Sequence, residues 1–449
     1  MQILNKKEPI LLFLGDIVCF LLSLWLALFT RAGIVPPTSD YLAHLIPFSY
    51  LFFVWICVFF IAGLYEKHTL AFRKKLPMVL LKVQIFNAVV AVLFFYLMPS
   101  FGIAPKTILF IYLIISSILI LLWRLYGEHV FGIRERERAM LVATGIEMKE
   151  LLDEVKNNFR YEIDFVSVID TQAFSGAEIE QKLKDAITKE NISTVVIDLH
   201  DELLEPLLPT LYGLVFKKVF FADMHKMYES IFDRVPLSLL EHRWFLENIS
   251  LKHQGLYDVF KRIMDIGIAG ILGIISLILY PFIALAIFID DGKNIFITQE
   301  RVGKDNKPIM VTKFRSMSIS DDGLEVADKK LRITRVGSFI RKTRIDELPQ
   351  LWNVVRGDLS LIGPRPELPK LANLYEASVP YYNVRHMIKP GLSGWAQIYH
   401  EQAPKFGVAV GETKEKLSYD LYYIKNRSLL LDFKIALKTL KTLFSRSGV

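Results

Sequence analysis

Cysteine is nearly absent. Among 449 residues there are two, Cys19 and Cys57, and both lie inside apolar runs. No disulfide framework and no cysteine-ligated zinc site can be built from them. An acidic surplus is missing as well: Lys and Arg number 54 against 47 Asp and Glu, a net charge of +7. The first apolar run is too long for a signal peptide and lacks its small-residue cleavage pattern, so it is read as mature protein. What the sequence has in abundance is apolar length. Hydrophobic residues make up 52% of it and the mean hydropathy is +0.34, too apolar for an ordinary soluble domain. In such a chain the basic excess is expected to face anionic lipid headgroups or phosphates rather than nucleic acid.

Residues 1–133 contain four apolar runs, roughly Ile10–Phe29, Pro47–Tyr65, Met78–Met98 and Ile108–Tyr126. Each is about twenty residues, enough to cross ~30 Å of hydrocarbon at ~1.5 Å per residue. Lys6 and Lys7 precede the first run, and Lys67, Arg73, Lys74 and Lys75 separate the second from the third. Arg124, Arg134, Arg136 and Arg138 end or follow the fourth, whereas the other two loops carry only Arg31 and Lys106. The positive-inside rule then puts both ends of a four-helix bundle in the cytoplasm. Asp16, Lys82, Gln84 and Asn87 are polar positions within the spans. They are read as contacts between helices in preference to a transport path.

Residues 134–250 change to soluble α/β alternation. Strands are expected at Ala139–Thr144, Ile163–Ile169, Thr194–Leu199 and Lys218–Ala222, with helices to about Asn158, over Ala177–Glu190 and around Glu202–Phe216. That alternation predicts a doubly wound, Rossmann-like parallel sheet. The Gly-x-Gly-x-x-Gly turn that brings a backbone against a pyrophosphate is absent; only Gly145 follows the first strand. The segment is therefore read as a spacer, regulatory or dimerisation module with a degenerate phosphate loop, and the chain as a homodimer.

Lys261 and Arg262 introduce a second apolar stretch, Ile263–Ile289, broken by Asp265, Ser276 and Pro281. Pro281 kinks or breaks a helix. Beyond Ile289 the chain is strongly basic, so a full crossing would put cations on the wrong side. A re-entrant helix over about 261–289, bent at Pro281, meets both constraints. Its freed backbone groups need partners, for which Ser276 is a candidate.

A short hairpin is expected next, Ile295–Gln299 with Met310–Phe314 around Gly303, and it delivers Lys313 and Arg315. The stretch Arg341–Pro366, RKTRIDELPQLWNVVRGDLSLIGPRP, then sets Asp346 and Glu347 among Arg341, Arg344, Arg356 and Arg365. Buried carboxylates need cations or a metal to stay ionised. Arginines without a matching acidic surplus suit phosphate. A solvated salt-bridge network is the plain alternative. Pro349 suits a helix first turn, so the two carboxylates fall at or just before a helix start, where adjacent side chains diverge and can take separate tasks. One can attack phosphorus while the other takes a proton from an incoming hydroxyl.

Several runs in residues 256–449 resemble those of the bacterial sugar transferases, the monotopic polyprenyl-phosphate phosphoglycosyl transferases. They are Lys261-Arg262-x-x-Asp265, Gln299–Gly303, Lys313–Met317, Asp346–Leu351 with Asn353-Val354, Gly357–Pro366, Lys389–Gln397 and Tyr419–Asn426. The resemblance implies transfer of a hexose 1-phosphate from a UDP-sugar to undecaprenyl phosphate at the cytoplasmic face of a bacterial inner membrane. It would be the first step of a surface polysaccharide, with galactose or glucose the expected sugar. It also implies roles: Asp346 as nucleophile and Mg²⁺ ligand, Glu347 as base, and Arg341 and Arg365 as phosphate-holding arginines. Lys313, Arg315, Arg344, Asp420, Lys261 and Arg262 join them as substrate-binding positions, the last two at the headgroup level where the phosphate of the lipid acceptor lies and where snorkelling anchors are an equal reading. Two departures stand out: Tyr280-Pro281 replaces the usual Ser-Pro break, and Ile398–Glu401 replaces an Asn-Gly-Arg-like run.

Two other classes compete. A membrane-bound nucleotide-sugar dehydratase needs a Gly-rich turn and a Tyr-x-x-x-Lys pair in one domain; the turn is missing and the only such spacing, Tyr257–Lys261, abuts the apolar helix. A non-catalytic scaffold of polysaccharide assembly would leave Asp346, Glu347 and the arginines without a task.

Overall fold

A computed structural model describes residues 7–65, 76–98, 106–130, 136–158, 161, 163–216, 219–249, 255–291, 294–317, 333–399 and 410–445. Lys6, Lys67, Arg73, Lys74, Lys75, Arg134, His400 and Glu401, all used in the sequence reading, lie outside these residues. The chain divides into two compact units, Met1–Met227 and Tyr228–Val449.

The first unit begins with α1 (Lys7–Ala32), α2 (Thr38–Ile61), α3 (Leu76–Leu97) and α4 (Lys106–Val130). All four are long and apolar enough to cross a membrane. Helix α2 starts ahead of its apolar run, and Pro47 lies buried inside it rather than at its head. Inward-facing rings build the bundle's core: Phe20, Phe48, Phe52, Trp55 and Tyr112 pack against one another. Phe53, Phe86, Val89, Phe110 and Ile118 point outward, the apolar exterior expected of helices solvated by lipid. Asp16, Gln84 and Asn87 find their partners inside the bundle. Arg124 meets Asp16, which also accepts from the Tyr65 hydroxyl at 2.7 Å. Gln84 donates to Ser116 at 3.4 Å, and Asn87 donates to Gln84 at 3.1 Å. Lys82 is exposed on α3.

The same unit then forms one four-stranded parallel sheet in the order β2-β1-β3-β4, made of β1 (Glu137–Ala143), β2 (Ile163–Asp170), β3 (Thr194–Ile197) and β4 (Phe220–Asp223). Helices α5 (Gly145–Asn157), α6 (Gly176–Glu190) and α7 (Leu208–Val215) run between successive strands. The helix expected over residues 202–216 is split into a 3₁₀ turn, Glu202–Leu207, and α7. Pro206 and Pro209 supply the reason, since neither has an amide to continue an α-helical ladder. Met140, Val142, Ile179, Leu183, Val195 and Ile197 fill the space between sheet and helices.

The division between units falls within α8 (Met224–Phe232). The sequence reading ends the α/β segment at 250, yet residues after 227 pack with the second unit: Val235 and Trp244 share a core with Tyr382, Trp395, Leu417 and Leu421. After α9 (His242–Asn248) come α10 (Gly255–Ser276) and α11 (Tyr280–Asp291), bent by 58° at the break between them. The hairpin β5 (Phe296–Val302) and β6 (Pro308–Phe314) follows. Then come α12 (Arg335–Lys342), α13 (Gln350–Arg356), β7 (Ser360–Ile362), α14 (Pro369–Ser378), β8 (Gly391–Ser393), α15 (Trp395–Tyr399), α16 (Val410–Lys425) and α17 (Leu429–Ser445). β7 and β8 pair in parallel. Buried Asp265 of α10 accepts from the Ser360 hydroxyl at 2.8 Å and the Leu361 amide at 3.1 Å, which fastens the apolar helix to β7.

Candidate active site

Side chains alternate along a strand, so burying Phe314 in the core turns Lys313 and Arg315 to the opposite face of β6 and its end. Helix α12 packs against that end. Thr334 caps it, its hydroxyl accepting from the Gly337 amide at 2.9 Å. A Cβ on Gly337 would stand 1.9 Å from the Ser316 carbonyl oxygen, so no larger residue permits this approach. Arg341 occupies the last turn of α12. Arg344 then takes a left-handed conformation (φ 56°), uncommon for a residue with a side chain, and reverses the chain into the 3₁₀ turn Ile345–Glu347. Asp346 and Glu347 therefore sit on a tight turn just ahead of α13, with Pro349 at its N-cap.

The two carboxylates meet different surroundings. Asp346 is 8% exposed, and its Oδ1 has no hydrogen-bond partner among the described residues. Burial and the neighbouring Glu347 push its pKa up to about 6, against the pull of Lys313, Arg341 and Arg344. Glu347 is pushed up by burial too, but Arg365 and Arg344 outweigh that and hold it below the usual carboxylate range. Its Oε1 accepts from Arg365 at 3.2 Å and lies 3.4 Å from Arg344. The site thus holds one carboxylate saturated by arginine and one left short of positive charge.

Further residues brace this pair. Asn353 donates to the Met310 carbonyl at 2.7 Å and to Asp358 at 3.1 Å, tying α13 to β6. Gly357 ends α13 in a left-handed turn (φ 102°), its amide donating back to the Asn353 and Val354 carbonyls. Arg262 of α10 donates to the Val354 and Val355 carbonyls at 2.7 and 2.8 Å, so its guanidinium is committed to the end of α13. Lys261 reaches Asp432 at 2.9 Å and the Tyr423 hydroxyl at 3.3 Å, and Tyr257 donates to the same Asp432 oxygen at 3.0 Å.

The structure accordingly brings Lys313, Arg341, Arg344 and Arg365 around Asp346 and Glu347. Arg315 directly follows β6, its Nε donating to the Met317 carbonyl at 2.9 Å. Lys261 and Arg262 find their partners elsewhere. Asp420 is buried against Arg385, at 2.8 Å. Arg385 also meets the Tyr382 hydroxyl, Glu367 and the Arg365 carbonyl, and so supports the Arg365 turn from behind. Arg385 and Asp432 were not anticipated. Both lie outside the recognisable runs, in segments whose residue spacing carries no signal of what they meet across the fold.

Pro281 lies in the first turn of α11. The Ser276 hydroxyl donates to the Gly273 carbonyl at 2.6 Å, an acceptor that the Leu277 amide reaches only at 3.3 Å where the helix ends. Tyr280 lays its ring on Phe314 and Phe296 of the hairpin, with centroids 4.9 and 6.1 Å apart.

Comparison with known proteins falls on this half of the chain. The sequence profile of the family described as "Bacterial sugar transferase" matches residues 256–446. The chain is 41% identical over 206 residues to a UDP-N-acetylgalactosamine-undecaprenyl-phosphate N-acetylgalactosaminephosphotransferase of Aeromonas hydrophila, covering 44% of this chain and 47% of that protein. It is 36% identical over 192 residues to a UDP-glucose:undecaprenyl-phosphate glucose-1-phosphate transferase of Caulobacter vibrioides, covering 42% of this chain and 71% of that one. It is 38% identical over 224 residues to a UDP-galactose-lipid carrier transferase of Erwinia amylovora, 45% and 44%. The matches thus span less than half the length of the Aeromonas and Erwinia proteins.

Proposed function

The chain belongs to the bacterial sugar transferase family, and from that membership we propose that it moves a sugar 1-phosphate from a UDP-sugar onto undecaprenyl phosphate, releasing UMP. The observation that carries the proposal is Asp346, a buried carboxylate with one oxygen unpartnered among the described residues, beside an arginine-held Glu347. In this reading Asp346 attacks the β-phosphorus of the UDP-sugar. The bond from that phosphorus to the bridging oxygen breaks, UMP leaves, and a sugar-1-phosphoryl aspartate remains. An oxygen of undecaprenyl phosphate then attacks the same phosphorus and returns Asp346 as a carboxylate. Lys313, Arg315, Arg341, Arg344 and Arg365 take up phosphate charge in both steps. Arg344 and Arg365 now hold Glu347; phosphates that draw them away raise its pKa and make it a better base for the lipid phosphate. Asp420, through Arg385, positions Arg365.

The residues present suit a Mg²⁺ ion. Asp346 Oδ1 is a buried oxygen lacking a partner among the described residues, and Mg²⁺ is typically held by one or two carboxylates together with substrate phosphates. Asp346 would hold it, and bound there it would offset charge on the phosphates.

The apolar α10–α11 pair is proposed to enter the membrane and return to the same face. Its 58° bend, Ser276 and Pro281 support that course. Lys261 and Arg262, tied to Asp432 and α13, would then brace the site at headgroup level. The bundle is placed with both ends in the cytoplasm of a bacterial inner membrane, and the parallel sheet is assigned to the Rossmann-like class. Pairing of two chains through that sheet is a separate proposal, which a single-chain mass in nanodiscs would remove.

Purified protein incubated with Mg²⁺, undecaprenyl phosphate and a panel of UDP-sugars should release UMP with one of them. The panel spans glucose, galactose and N-acetylgalactosamine, the sugars in the relatives' names. No release with any member would sink the proposal.

A further inference from the structure

The carboxyl edge of the parallel sheet carries a side-chain cluster that the transfer reaction leaves unused. Asp198 directly follows β3, His200 stands two residues on, and His225 lies in the first turn of α8 after β4. Open parallel sheets present their ligand sites beyond these strand ends. One candidate ligand atom from each of Asp198, His200 and His225 lies within 4.8 Å of the others. The Nδ1 atoms of His225 and His200 stand 3.3 and 3.8 Å from Asp198 Oδ1.

A plain imidazole–carboxylate hydrogen bond would be the ordinary account of such a cluster. His225 does not make it. Its side chain is 4% exposed, and Nδ1 has no hydrogen-bond partner among the described residues, although Asp198 is within reach. A buried nitrogen left in that state is unfavourable unless a ligand from outside the chain satisfies it. The backbone that carries the ring is fixed: Asp223 Oδ1 accepts from the His225 and Lys226 amides at 2.8 and 3.1 Å, which caps the start of α8. Asp198 Oδ1 likewise accepts from the His200 amide at 2.9 Å. Burial, opposed by Asp198 and Asp223, lowers the pKa of His225. That favours the neutral ring, the form that binds metals.

We propose that Asp198, His200 and His225 form a binding site for a divalent transition metal, with Zn²⁺ the best fit. Two imidazoles and a carboxylate suit Zn²⁺ and its neighbours, whereas Mg²⁺ and Ca²⁺ prefer oxygen throughout. Zinc bonds of ~2.0–2.1 Å in a tetrahedron set ligand atoms roughly 3.3–3.5 Å apart, close to the two separations already present. His200 is half exposed, so it gives the ion an entry path and can swing the short distance needed to close on it. Water completes the coordination. The bound ion would clasp the turn after β3 to the head of α8. None of this depends on the transfer reaction.

The test uses the full chain in nanodiscs, without a metal-binding tag, stripped by chelator and titrated with Co²⁺ and then Zn²⁺. About one Co²⁺ per chain should bind with visible ligand-field absorption, and Zn²⁺ should displace it. His200→Ala removes a ligand on an exposed side chain and should weaken Co²⁺ binding by more than the ~10-fold typical of losing an outer-shell partner; adding Asp198→Asn should abolish it. Asp346→Asn should bind like the parent. Absence of stoichiometric binding by the parent, or a loss under threefold in both His200→Ala and the double variant, overturns the proposal.

Discussion

Asp346 is raised to a pKa of about 6 by burial and Glu347, and three cations keep it from rising further. A nucleophile must be ionised, so kcat/KM with saturating lipid should fall as pH drops through the pKa of Asp346, which a cation held there draws below about 6, tenfold for each further pH unit. A kcat/KM that climbs as pH falls from 8 to 5 would contradict the assignment. The same burial has an opposite sign for folding. A carboxyl whose folded pKa is raised contributes stability below its unfolded value near 3.8, and that contribution is lost as pH climbs through about 6. Without added metal at pH 7.5, Asp346→Asn should therefore stabilise the protein, by ~3 kcal/mol at most, while transfer drops at least ~10³-fold. Thermal melting in EDTA and UMP release read the two effects; a destabilised variant with intact transfer would refute both. The pairing of Asp346 with Glu347 was legible because the two are adjacent and ringed by arginines in one stretch. Their unequal environments were not, since Arg365 reaches Glu347 only through the turn that Arg385 supports.

At the scale of elements, the break between α10 and α11 could be read from Pro281 and Ser276, because proline's missing amide acts locally. The partners that steady it could not: Tyr280 meets Phe314 and Phe296 only once the hairpin has folded back. The same limit explains α2, whose first turns precede its apolar run and hold despite Pro47. It also explains Lys261 and Arg262. Their position beside an apolar helix suggested substrate, while the fold gives them Asp432 and the carbonyls ending α13. The course of α10–α11 can be tested by replacing Cys19 and Cys57 with serine and placing single cysteines at Asp258 or Asn294, both exposed. If the pair enters and returns, both positions should react with an impermeant maleimide only after the inner membrane is opened. Labelling from opposite faces would mean that the pair spans.

For the whole molecule, the family resemblance begins near residue 256, yet the compact unit that holds the carboxylates begins at Tyr228. The difference has physical content. The Trp395 indole donates to the Asp233 carbonyl at 2.8 Å, the Val235 amide donates to the Ser418 carbonyl at 3.2 Å, and Arg234 pairs with Glu415 at 2.9 Å. Val235 and Trp244 are buried beside Trp395 and Leu421. Losing two such side chains forfeits ~1.5–3 kcal/mol each, and it also uncovers the inner face of α16. A fragment of residues 228–449 should consequently fold in nanodiscs and keep transfer within ~10-fold of the full chain, because every group assigned to the reaction lies in it. A fragment of 256–449, cut where the sequence resemblance starts, should melt several degrees lower or aggregate. Equal melting temperatures for the two would show that residues 228–255 contribute nothing to this core. Loss of transfer from a folded 228–449 fragment would show that the first unit supplies something to the chemistry.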